Sequence, residues 1–144
     1  LTDKSNFHFS FPFRVRFAEA DPQGIVFNAH YLTYFDTAIT EYLRWLPYYP
    51  YIGPGKTMSF HTVRAEVNFH GPCFADDEIE VFVRVAKLGR SSIRYELVIY
   101  REGEDQLLTS GEIIWVNTNL DTHKSAPVPA ELRTLIESRE ALGA

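Results

Sequence analysis

An α+β domain is predicted, in which an antiparallel sheet of about five strands wraps around one long α-helix and a short helix closes the chain. Three patterns carry that reading. Hydrophobic residues recur at helical spacing over one long aromatic segment, at every second position in several later segments, and the breaks between those later segments are short. A single long aromatic helix needs an apolar face to cover it, and a curled antiparallel sheet buries the whole stripe.

The elements follow in order. Residues 11–19, FPFRVRFAE, set Phe11, Phe13, Val15 and Phe17 against Pro12, Arg14, Arg16 and Ala18, the period of a half-buried strand that ends before ADPQG. From Tyr31 the period changes. Tyr31, Tyr34, Phe35, Ala38, Ile39, Tyr42 and Leu43 form one stripe, predicting a helix over residues 30–45. Leu46–Gly55, LPYYPYIGPG, breaks it with three prolines and two glycines. Strands are then predicted at 57–69, 78–87, 92–100 and 107–117, joined by connections compatible with antiparallel pairing. In the segment 128–142, Pro129 lies near a helix start and Leu132, Leu135, Ile136 and Leu142 lie on or near one side.

The 144 residues contain no repeat, linker or charge block, so residues 1–144 read as a single domain. Apolar residues at 45% and aromatics at 15% mark a folded chain rather than a disordered one. A formal charge of -5 argues against sequence-independent nucleic-acid binding, which needs a surplus of Lys and Arg, so any anionic ligand must be held locally. Cys73 is the only cysteine, which excludes an intrachain disulfide and leaves it a packing role. No stretch reads as a membrane span or a signal peptide, and the expectation is a cytoplasmic protein.

The chemistry concentrates at ADPQGIVFNAHY, residues 20–31. Asp21 stands at an Asp-Pro turn, which is also an ordinary turn composition. What sets it apart is the helix that follows. A helix start offers unpaired N–H groups and a partial positive charge to a carbonyl oxygen that gains negative charge under attack, and Asn28 or its neighbours supply them. A carboxylate opposite such donors can attack a carbonyl carbon or activate water, and a turn at Gly24 lets the backbone approach a substrate.

RVRFAEADPQGIVFNAHYLTYFD, with NFHGPCFADDEIEV, KLGRSSIRYELVIY, GEIIWVN and VPAEL in that order, resembles the hotdog-fold hydroxybenzoyl-coenzyme A thioesterase family from about Phe13 to Leu135. The resemblance implies hydrolysis of an acyl-coenzyme A thioester to a free acid and coenzyme A. It implies no metal and no cofactor beyond the coenzyme A of the substrate, and a homodimer or dimer of dimers with active sites at the protomer boundary. It places Asp21 at the catalytic carboxylate, as nucleophile or general base, and the backbone N–H of Asn28 at the group that polarises the thioester carbonyl. Asn28 departs from the His or aromatic residue found there in similar proteins, which leaves the backbone role intact. Arg90 and Ser91, in the LGRSS turn, match the region that meets the nucleotide and phosphates, with Lys87 as an added point charge. Two further activities stay open: acyl-coenzyme A binding without turnover, and dehydration of a hydroxyacyl thioester.

His30 and His61 are of a residue type suited to proton transfer but show no metal-ligand spacing, and each is assigned a structural or pocket-lining role. Asp36, on the predicted helix, is the alternative base, because some other hotdog thioesterases carry their carboxylate there. Tyr31, Tyr34 and Phe35 are core residues by spacing and some also line an acyl pocket, for a ring or for a chain.

Overall fold

The structure, a computed structural model, describes residues 3–140 and 142. Strand β1 (Ser10–Arg14) precedes helix α1 (His30–Trp45), which is followed by β2 (Phe60–Phe69), β3 (Glu78–Leu88), β4 (Ser92–Arg101), β5 (Leu107–Asn117) and helix α2 (Ala130–Arg139). The five strands form one antiparallel sheet in the order β1-β3-β4-β5-β2. Ala141, at the end of the segment read as the last helix, lies outside the described residues.

Helix α1 buries the predicted stripe, Tyr31, Tyr34, Phe35, Ala38, Ile39, Tyr42 and Leu43, against the inner face of the sheet. That face is built by period two: Ile79, Val81, Val83 and Val85 on β3, and Ile93, Tyr95, Leu97 and Ile99 on β4, are all buried. Gly111 on β5 lets the helix come close. A Cβ there would stand 2.8 Å from Phe35 Cζ and 2.5 Å from the backbone oxygen of Glu66 on β2. Helix α2 is fastened by Glu140, just past its end, whose Oε2 accepts the Tyr42 hydroxyl at 2.6 Å and the Val85 N–H at 2.9 Å.

Besides a later start of β2, at Phe60 where the sequence reading began the strand at residue 57, two features differ from the sequence expectation. The first strand ends at Arg14 instead of running to residue 19, and Phe17–Glu19 forms a 3-10 turn that leaves Phe17 78% exposed. The cause is its partner: Arg14 pairs with Glu78, the first residue of β3, so the chain beyond has no strand to follow. The second is the outer face. Val98 and Tyr100 on β4 alternate with the inner set yet are buried, because the N-terminal segment lays Phe7 over them, edge to face with Phe82 at 6.0 Å. Strand β2 is the opposite case, an edge strand exposed from His61 to Glu66, with a register shift between Thr62 and Arg64.

Candidate active site

Residues 20–26 form a small hairpin. Asp21 N–H donates to Ile25 O at 2.8 Å, Ala20 bridges Val26, and Gly24, at φ +81°, makes the reversal that a side chain would strain. The hairpin is anchored on the approach to β3, through Val26 N–H to Cys73 O at 2.9 Å and an Ile25–Phe74 bridge. Cys73 is fully buried there, in the packing role expected of it.

The Asp21 carboxylate is held by its own turn: Oδ1 accepts the Gln23 N–H at 2.8 Å, and Oδ2 has no partner among the described residues. Nine residues on, the chain enters α1. Phe27 N–H donates back to Glu19 O, and His30 N–H to Phe27 O, while the N–H groups of Asn28 and Ala29 donate no hydrogen bond among the described residues. The first turn of α1 carries no acidic side chain, so the positive end of the helix is not neutralised.

Asp21 and Asn28 line one cleft of about 500 Å³, walled by Ile25, Val26, Phe27 and Tyr31 on one side and by Phe69, His70, Gly71 and Pro72 on the other. Tyr31 is buried, packs edge-on against Phe69 at 5.1 Å, and has its hydroxyl pushed up by burial beside Cys73, so it stays a neutral donor. An apolar trough lined by a carboxylate and by Asn28, with its free N–H, suits an uncharged acyl group whose carbonyl becomes an oxyanion.

Three of the nine residues singled out in the sequence, Asp21, Asn28 and Tyr31, therefore meet in the cleft. Gly24 and His30 adjoin it: Gly24 makes the turn, and His30 packs its ring on Phe27 at 6.1 Å. The remaining four lie elsewhere. His61, Lys87, Arg90 and Ser91 gather at the other end of the sheet, where Val116 of β5 pairs with both His61 and Ser92, and Ser91 O accepts the Asn117 N–H. The eleven residues of β3 separate that end from the cleft, about 33 Å at 3.3 Å per residue. One copy of the chain does not bring the proposed phosphate-binding residues to Asp21.

Asp36 occupies a different place, a groove of about 220 Å³ between α1 and the β2 edge, with Leu32, Ile39, Thr62, Ala65 and Ile113. Its surface is open to water, but the apolar walls partly desolvate the carboxyl and raise its pKa above the usual range. The sequence reading missed Phe69, His70 and Glu19. Phe69 and His70 come from the far end of β2, and no local pattern announces their approach to residue 21. Glu19 did leave a signal, since it falls in phase with Phe11, Phe13, Val15 and Phe17 and so puts a charge on the apolar side. Among the described residues, no three His, Cys, Asp or Glu side chains group as metal ligands, and no helix is long and apolar enough to cross a membrane.

A sheet curled around one helix is the hotdog architecture; the structure of PA5185 from Pseudomonas aeruginosa has it, matching this one at a TM-score of 0.83 with 24% identity over 98% of both chains. The chain belongs to the thioesterase-like superfamily, matched over residues 15–136, and its class is thioester hydrolase. An acyl-CoA thioesterase of Haemophilus influenzae, YbgC, is 26% identical over 126 residues, 87% of this chain and 91% of that protein. A thioesterase from Thermus thermophilus, solved in complex with coenzyme A and Zn, is 30% identical over 96% of this chain and 98% of its own, with a TM-score of 0.79.

Proposed function

We propose that the protein hydrolyses acyl-coenzyme A thioesters, with Asp21 as the reacting carboxylate and the Asn28 N–H as the oxyanion donor. The observation that carries this is their meeting in one apolar cleft at the uncompensated N-terminus of α1. The thioester carbonyl accepts from the Asn28 N–H, which draws electron density from its carbon. The free oxygen of Asp21 then either attacks that carbon, expelling the coenzyme A thiolate and leaving a mixed anhydride that water cleaves, or takes a proton from a water that attacks instead. Both routes end in a carboxylic acid, coenzyme A and a regenerated carboxylate.

The distant cluster of Lys87, Arg90 and Ser91 fits the same reaction if a second copy docks along β2. A two-fold axis through that edge sets the strands antiparallel, so the end of one sheet that holds His61 and Arg90 lies beside the end of the other that holds Phe69 and Asp21. The cleft of one protomer then faces the cationic turn of its neighbour, which supplies the coenzyme A phosphates with positive charge in an acidic protein. In this reading the active unit is a homodimer.

Thiol release across acyl-coenzyme A substrates from acetyl to long-chain, benzoyl and phenylacetyl, with Asp21→Asn and Asp36→Asn alongside, tests the assignment. Turnover on one acyl class that falls by about 10²-fold or more in Asp21→Asn and persists in Asp36→Asn is expected. The reverse pattern moves the base to Asp36, and binding of coenzyme A with no release by the folded wild type removes the hydrolase reading.

A further inference from the structure

Two residues before Asp21, Glu19 is a carboxylate only 7% exposed, in a chain segment that otherwise shows its side chains to water. Burying a charge is costly unless its hydrogen-bonding capacity is filled. Here it is filled by groups from two residues, Arg16 and Tyr34. Oε1 accepts the Arg16 N–H at 2.8 Å and the Tyr34 hydroxyl at 2.8 Å, and Oε2 accepts Arg16 Nε at 3.1 Å with Nη2 at the same distance. The main chain of the same residue accepts the Phe27 N–H at 2.9 Å.

Capping the 3-10 turn would need only the bonds to Arg16. The other two reach further. Tyr34 lies in α1 and packs edge-on against Tyr31, the tyrosine of the cleft, at 6.0 Å. Phe27 immediately precedes Asn28, and because its N–H is consumed by Glu19, the next N–H in the chain is the one left open. The Glu19 side chain thus joins the arm that carries Asp21 to α1, and its main-chain oxygen joins that arm to the one that carries Asn28.

We propose that Glu19 is a positioning residue for the thioesterase reaction: its side chain ties to α1, through Tyr34, the hairpin whose arms its main-chain oxygen holds together, and so sets the separation between the Asp21 carboxylate and the Asn28 N–H. The inference rests on the thioesterase reading for its catalytic consequence, while the cross-link itself is a matter of geometry. Misplacing reacting groups by about 1 Å costs on the order of 10²-fold in rate, which is the scale available to such a residue.

The test compares Glu19→Ala, Glu19→Gln and Asp21→Asn/Glu19→Ala with the wild type, measuring kcat and KM for the best acyl-coenzyme A together with backbone amide resonances of ¹⁵N-labelled protein. Glu19→Ala is expected to lose about 10- to 100-fold in kcat with little change in KM, and to move the Asp21, Gly24 and Asn28 amides while those of β3 and β4 stay in place. Glu19→Gln, whose amide oxygen still accepts from Arg16 and Tyr34, should recover most of the rate. The double variant should be no slower than Asp21→Asn, because Glu19 acts through that group. Unchanged kcat in folded Glu19→Ala, losses that add in the double variant, or amides at their wild-type positions would each overturn the proposal. A wild type without thiol release defeats the thioesterase reading instead, and the amide positions then decide the cross-link alone. Should Glu19→Ala fail to fold, Tyr34→Phe removes one of the four donors and is read in the same way.

Discussion

At the scale of single residues, Asp21 combines a turn's chemistry with a reactive group's exposure. Its Oδ1 closes the reversal through Gln23, the second oxygen has no partner among the described residues, and the residue lines an apolar cleft. The turn reading of the Asp-Pro motif is met by Oδ1, the catalytic role proposed above rests on the second oxygen, and the sequence could not rank the two because the difference lies in the residues brought to Asp21 from elsewhere in the chain. Glu19, its buried neighbour, gives a pH prediction. Burial works to raise its pKa, but the Arg16 N–H, the Tyr34 hydroxyl and the Arg16 guanidinium outweigh it and hold the carboxyl below the usual range. A carboxyl depressed on folding stabilises the protein above its unfolded pKa, and that contribution is lost as pH falls through the folded value. Urea unfolding at a series of pH values should show wild type more stable than Glu19→Gln at pH 7, with the gap closing below about pH 4, near the ordinary value for a glutamate. A gap that stays constant from pH 7 to pH 3 would contradict this.

Among the elements, α1 and the strands beneath it were the most legible, because period decides them. The helix occupies residues 30–45 as its aromatic stripe predicts, and β3, β4 and β5 agree with expectation to within a residue. The first strand was read too long because alternation through Phe17 describes the chain's polarity, whereas its pairing depends on where β3 begins, more than sixty residues away. Gly111 was silent in the sequence, since a glycine in a strand has several explanations. In the structure it has one, the ring of Phe35. Gly111→Ala should cost about 1–3 kcal/mol, the scale of an overpacked core, read as a lower denaturation midpoint with unchanged slope. A wild-type midpoint would mean that α1 and β2 can part without loss.

For the whole molecule, the cleft and the cationic turn lie at opposite ends of the sheet, so a complete site of the proposed kind needs two chains. Mixing makes this testable. Asp21→Asn and Lys87→Ala/Arg90→Ala proteins, each impaired alone, should regain part of the lost activity when unfolded and refolded together, because some mixed pairs carry one site with both halves intact. No recovery in pairs shown by mass to be mixed would place all the needed groups in one chain. In the sequence a site at a protomer boundary is implied only by the family resemblance, because the order of residues along one chain does not say which copy they serve. The two edges of the sheet also differ in a way that bears on how far assembly can go. On the β1 side Phe9 O accepts the Val83 N–H, which turns Phe11 and Phe13 toward β3 and leaves Pro12, with no N–H to offer, on the outer rim of a five-residue strand. Farther along β3, the Val85 N–H is already taken by Glu140. Strand β2, the other edge, is ten residues long and has no proline, so it is the rim better suited to pairing. A sheet with a single adhesive side has a valence of one: two copies joined there have no strand left to recruit a third, so the edge pairing that would complete the site also terminates itself instead of growing into a fibre.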